Sequence, residues 1–346
     1  MQHLGDGRCS VLWENYWRRG AESNRRIKVL QTSALPLGYR ATIGNIPHKN
    51  LAKYDFGMAC IRSVLTLVIF SAALCAQTPA VRIIAFGAHP DDCDIRAGGT
   101  AALWAKMGFA VKFVSVTNGD AGHQTMQRVE LAKRRLAEAQ ESARRLGIDY
   151  EVLNNHDGEL LPTLEIRQQI IRLIRKWNAD VVIGPRPNDY HPDHRYTGVL
   201  MQDAAYMVVV PSVAPDTPPL RKNPLFLYYQ DGFQRPNPFR PDIAVSIDEV
   251  FDSKIDALDS HVSQFYEWLP WVDGKLADVP KDPAARKEWL KTFMARPISL
   301  DIRASLIKWY GPEKGNAVQH AEAFEICEYG AQPSSARLKQ IFPMLR

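Results

Sequence analysis

The sequence predicts an α/β fold: a Rossmann-like, mostly parallel sheet sandwiched by helices, with a C-terminal elaboration. Two observations carry this expectation. Short apolar runs alternate with longer amphipathic stretches from residue 81 to residue 183, and glycine or polar turn signals separate them. Strands that alternate with helices are joined by right-handed crossovers, which make the sheet parallel and cover both of its faces.

Residues 81–86 (Val-Arg-Ile-Ile-Ala-Phe) read as a buried strand closed by Gly87. Gly98-Gly99-Thr100 is expected to open a helix running to about Met107. Residues 111–116 form a second strand, followed by the polar loop Thr117-Asn118-Gly119-Asp120-Ala121-Gly122. A strongly periodic helix spans 127–146 and stops at Gly147, a residue suited to the left-handed turn that ends helices. Residues 150–153 are a third strand, 164–177 an amphipathic helix and 180–183 a fourth strand. Beyond residue 211 the chain becomes proline-rich, with strands expected at 225–229 and 243–247 and a helix at 252–264. The stretch 266–346 has many aromatic residues and no legible motif. Residues 80–346 are read as one domain, with 211–346 elaborating its site.

Charge is unevenly placed along the 346 residues, 46% of which are hydrophobic. The formal net charge is +5, and residues 1–57 alone hold nine Lys/Arg against four Asp/Glu. From residue 77 onward the balance is close to neutral, so this part has no electrostatic reason to seek nucleic acid. Residues 58–76 have the layout of a secretory signal peptide: Met58, Arg62, an apolar run over 64–74, then Cys75-Ala76-Gln77 with cleavage expected after Ala76. The apolar run is shorter than the roughly 20 residues that a membrane span needs. A secreted or periplasmic protein is therefore expected. Translation is expected to start at Met58, with residues 1–57 a poorly ordered extension. Of the five cysteines only Cys93 and Cys327 follow the signal, which excludes a disulfide framework, and no CxxC metal motif is present. Nothing in the sequence selects an oligomeric state.

Two clusters mix imidazole with carboxylate: Ala88-His89-Pro90-Asp91-Asp92, directly after the first strand, and His191-Pro192-Asp193-His194, after the fourth. In open α/β sheets ligands bind beyond the carboxyl ends of the strands, so these distant loops can meet at one edge. Together they hold the donors of a hydrolytic zinc site, which takes three protein ligands and leaves one position for water. His89 and Asp92 stand three apart on a tight turn and can face one point. His194, at the start of the next helix, is the natural third ligand. Asp91 is left as general base, and His191 as acid or as an electrophile polarising a carbonyl. Asp193 can fix the tautomer of a histidine ring. Asn118, His123, Arg135 and Asp157 are candidate substrate-binding residues; Arg135 could equally pair with Glu138 on its own helix.

The run Ala88-His89-Pro90-Asp91-Asp92-Cys93-Asp94 resembles the A-H-P-D-D-x-E signature of the PIG-L/LmbE-like N-deacetylases. The likeness extends, in order, through Gly98-Gly99-Thr100, residues 117–122, Arg135 and Glu138, Asp157-Gly158, His191-Pro192-Asp193-His194-Arg195, and Lys254 with His261-Val262-Ser263-Gln264. It implies a zinc enzyme that removes acetyl groups from N-acetylglucosaminyl compounds, with ferrous iron as an alternative metal. The zinc ligands would be His89, Asp92 and His194, the base Asp91. His191 would assist the tetrahedral intermediate and Asp193 support the site. Asp94 stands where the family usually has Glu, one methylene shorter, so its partner must sit closer. The expected substrate is an N-acetylated amino sugar or glycoconjugate. The competing functions are an amidase on a larger sugar conjugate and a non-catalytic sugar-binding protein with a structural metal. The second is disfavoured because closed structural sites need no base.

Overall fold

The computed structural model describes residues 81–345. The expected extension (1–57) and signal peptide (58–76) lie outside the described residues. Five strands run parallel: β1 (Arg82–Gly87), β2 (Ala110–Thr117), β3 (Asp149–Asn155), β4 (Val181–Gly184) and β5 (Leu225–Tyr229). Four helices connect them: α1 (Asp92–Lys106), α2 (Arg128–Leu146), α3 (Leu164–Trp177) and α4 (Pro192–Met207). The chain continues through β6 (Ile243–Ser246), α5 (Phe251–Leu258), α6 (Leu269–Val272), α7 (Pro283–Met294), α8 (Leu300–Tyr310), α9 (Pro312–Ala317), β7 (Ala321–Ile326) and α10 (Ser335–Ile341).

The seven-stranded sheet has the order β3-β2-β1-β4-β5-β7-β6, and β7 runs antiparallel to both of its neighbours. This is the mostly parallel α/β sheet that the alternating pattern predicts. Successive side chains on a strand face opposite sides. On β1 this sends Ile83 and Ala85 into a core with Phe113, Trp104 and Phe342, and Ile84 and Phe86 into a second core with Val114, Ile170 and Met201. Both sheet faces are thus buried, which is why the strands read as continuous apolar runs.

Local signals set the helix ends. Gly147 terminates α2 at φ 72°, and Asn178 terminates α3 at φ 50°. The Thr163 side chain accepts from the Ile166 N–H at the start of α3.

Two expectations need correction, and one stretch that carried none gains a strand. Helix α1 begins at Asp92, not Gly98. Asp92 and Asp94 suit its first turn because carboxylates complement the positive end of a helix. The glycines serve packing inside the helix instead: a Cβ on Gly99 would come within 2.8 Å of Ile247. The helix expected over 252–264 is broken, with α5 ending at Leu258 and a π-helical turn, Ser263–Trp268, leading into α6. Finally, the stretch without a motif supplies β7, which inserts between β5 and β6.

Candidate metal centre and active site

β1 and β4 are neighbours, paired Ile83 to Val181 and Ala85 to Ile183. The chain leaves β1 toward β2 and β3 on one side and returns to β4 on the other. This reversal opens a crevice at the carboxyl ends of the two strands. The loop after β1 and the start of α1 bring His89, Asp91 and Asp92; the loop after β4 and the first turn of α4 bring Asp189, His191, Asp193 and His194. A third segment, following β3, brings Asp157.

The rings of His89 and His194 lie 5.1 Å apart. His89 Nδ1 is 3.2 Å from His194 Nε2, Asp92 Oδ2 is 3.6 Å from His89 Nδ1, and Asp92 Oδ2 is 3.4 Å from His194 Nε2. A tetrahedral zinc with N and O ligands at about 2.0–2.1 Å requires donor separations of roughly 3.3–3.4 Å. The three donor atoms therefore fit one face of such a tetrahedron.

The remaining ring nitrogens are held by carboxylates, as metal-bound histidines usually are. His194 Nδ1 meets Asp189 Oδ1 at 3.0 Å. His89 Nε2 meets Asp157 Oδ1 at 3.1 Å and Asp193 Oδ2 at 3.5 Å. Two other donor groups are close enough to share an ion, His89 with His191 and His194, and His89 with Asp157 and Asp193. The second would use the nitrogen of His89 that faces away from His194.

Asp92 Oδ2 also accepts the backbone N–H groups of Ala88 and His89, at 2.8 and 2.9 Å. Burial pushes this carboxyl up, but His194, His89 and these bonds bring it far below the usual carboxylate range. Asp91 goes the other way. Burial, then the adjacent Asp92 charge, raise it, against Arg135, His261 and His89. Its Oδ1 is buried without a hydrogen-bond partner. Two adjacent carboxyls thus have divergent proton affinities, the arrangement from which acid–base roles are read.

His191 caps α4. The Asp193 N–H donates to His191 Nδ1 at 3.2 Å, which leaves the proton of the neutral ring on Nε2. Burial, then the charges of His89 and His194, hold this imidazole below its ordinary value. Asp193 itself accepts from the Gly158 and Leu160 N–H groups at 2.7 and 3.3 Å, tying the loop after β3 to α4. Burial favours a neutral Asp157, but its bond to His89 and the charges of His89 and Arg135 bring it down to about 2.

The other expected substrate residues are placed unequally. Arg135 reaches in from α2, buried, with Nη2 donating to the Gly122 carbonyl and to Gln264 Oε1; its Nε has no partner. Glu138 is engaged by Arg134 and Ser263, so the Arg135–Glu138 pair does not form. His123 has both ring nitrogens occupied, by Glu267 at 2.9 Å and by the Thr125 and Met126 N–H groups. Asn118 organises its own loop, accepting from the Asp120 N–H and bonding Asn154.

Asp94 is fully buried among Ser142, Tyr150 (3.1 Å) and His261 (3.4 Å), so its shorter side chain meets partners on α2, β3 and the turn after α5. Sequence reasoning missed Asp189 and Asp120; the latter holds the Asp157 N–H at 3.0 Å. Asp189 could have been found as the carboxylate two residues before His191.

The molecule is thus an α/β protein with a His/Asp donor cluster at the switch point of its sheet. A family model described as PIG-L: GlcNAc-PI de-N-acetylase matches residues 84–205. The diacetylchitobiose deacetylase of Thermococcus kodakarensis is 32% identical over 203 residues, 55% of this chain and 73% of that protein. The 4-oxalmesaconate hydratase of Pseudomonas putida is 24% identical over 200 residues, 56% of this chain and 77% of that protein. Among solved structures, an N,N'-diacetylchitobiose deacetylase from Pyrococcus horikoshii, complexed with its inhibitor MPG, superposes with a TM-score of 0.55 at 27% identity, covering 72% of this chain and 85% of that one. The chain belongs to the PIG-L/LmbE-like deacetylase family.

Proposed function

We propose that the protein is a metal-dependent hydrolase that removes the acetyl group from an N-acetylated amino sugar or glycoconjugate. The single observation that carries this reading is the donor triangle of His89, Asp92 and His194 with the unpaired, buried carboxyl of Asp91 beside it. Two nitrogens and one carboxylate oxygen at this spacing suit zinc, and ferrous iron would accept the same donors. When bound, such an ion supplies Lewis acidity and lowers the pKa of a coordinated water.

The chain's own residues do the rest. Asp91 accepts the proton of the attacking water and returns it to the departing amine. The Nε2–H of His191 donates to the oxyanion that develops on the acetyl carbonyl, a contribution of about 3–4 kcal/mol for a well-placed donor. Asp157, Asp193 and Asp189 hold the two histidine rings in register. Arg135 lends its charge to Asp91 and Asp157 from the α2 side, its buried Nε out of a substrate's reach, and Asp157 lines the same side. Asn118 and His123 shape the intervening loop.

A second reading comes from the hydratase among the relatives, since addition of water to a double bond can use a similar centre. Acetate release across a panel of N-acetylated sugars with added Zn²⁺ separates the two. Asp91→Asn should lose roughly 10²–10⁴-fold in turnover while retaining its zinc. Near-normal turnover in that variant would remove Asp91 from the role of base.

A further inference from the structure

Arg96 stands one turn after Asp92 on α1, so both occupy the same face of the helix. It forms part of the wall shared by two adjoining recesses. One contains Asp92, Asp189 and His194. The other is lined by Gln230, Lys254, Arg296, His320 and Glu322 as well as Arg96. Arg96 Nη1 donates to the Gln230 carbonyl at 2.8 Å, and its charge helps to hold Asp189 low across the first recess. Among the described residues, neither Arg96 nor Arg296 has a carboxylate within salt-bridge distance.

The other charged groups lining the second recess are paired. Lys254 meets Glu322 at 2.7 Å, and His320 meets Asp248 at 3.1 Å. Partial burial and then the Arg96 charge hold Arg296 below its ordinary value. Two guanidinium groups facing one recess repel each other until an anion joins them. Their planar donor forks match a carboxylate or phosphate better than they match water.

We propose that Arg96 and Arg296 form an anion-binding recess beside the metal centre, and that the preferred substrate carries a carboxylate or phosphate next to its acetylated amino group. The substrate claim rests on the deacetylase reading; the recess does not. Both are tested with three probes: N-acetylglucosamine, N-acetylglucosamine 1-phosphate and N-acetylmuramic acid.

With zinc-loaded enzyme, at least one anionic sugar should exceed the neutral one in kcat/KM by about tenfold or more, through KM, and Arg296→Gln or Arg96→Gln should bring that ratio toward one. Arg296→Lys should retain part of the preference. Which anionic sugar is favoured distinguishes phosphate from carboxylate. Equal kcat/KM for all three sugars, or a ratio that survives both Gln variants, overturns the substrate claim. Calorimetric titration with the two anionic sugars, in the Asp91→Asn background, reads the recess without turnover. Binding weakened by about tenfold in Arg296→Gln supports it, and unchanged binding in both Gln variants overturns it. Absence of acetate from every sugar, with arginine-dependent binding intact, rejects the deacetylase reading and leaves the recess standing.

Discussion

His89 faces a different chemistry at each ring nitrogen. Nδ1 looks toward Asp92 and His194, while Nε2 looks toward Asp157 and Asp193. His194 repeats the arrangement, with Asp189 behind its Nδ1. A carboxylate behind a ligating histidine fixes the ring and makes it a better donor, so Asp189→Asn should weaken zinc binding by roughly 10–100-fold in competition with a chelator. An unchanged affinity would show that α4 alone orients His194. At this scale the sequence was informative about residues that share a turn, such as His89 with Asp92. It was poor for Asp189 and Asp120, whose roles depend on which backbone and ring atoms the fold brings to them. Arg135 is the intermediate case. Its helix was predictable, but its release from Glu138 depends on Ser263 and Arg134 taking that carboxylate.

At the scale of elements, α1 carries the largest difference between expectation and structure. The glycine pair reads as a helix start because glycine is a poor helix former. In the fold, Glu322 of β7 reaches the middle of α1 and accepts from the Gly99 and Thr100 N–H groups at 2.9 and 2.7 Å. Lys254 of α5 pairs with Glu322 and donates to the Ile95 carbonyl at 2.8 Å. The buried Lys254–Glu322 pair therefore ties α1, which carries Asp92, to two C-terminal elements. Removing one partner of a buried pair strands the other charge. Glu322→Gln should cost about 3–5 kcal/mol in urea unfolding. A loss below about 1 kcal/mol would mean that the pair behaves like an exposed one. None of this was visible in the sequence, because 254 and 322 are joined only by the return of β7 into the sheet.

For the whole molecule, alternation of strand and helix was enough to predict the parallel core, since both faces of each strand had to be apolar. The edge beyond β5 was not legible. In Ala321–Ile326 two glutamates interrupt the apolar residues, and one of them is the buried Glu322. The polarity that marks this strand in the fold hides it in the sequence. No helix among the described residues is long and apolar enough to cross a membrane. We propose export through the signal at 58–76, for which N-terminal sequencing of protein from the native host should begin at Gln77. Recovery of residues 1–57 on that protein would reject this.

Loops about a hundred residues apart converge because β1 and β4 are adjacent, and we propose that together they hold one ion. Anomalous diffraction at the zinc edge, from crystals grown with Zn²⁺, locates that ion. One strong site is expected at about 2.0–2.2 Å from His89 Nδ1, His194 Nε2 and the Asp92 carboxylate. A zinc held instead by His89 Nε2 with Asp157 and Asp193, leaving Asp92 and His194 unligated, would contradict it.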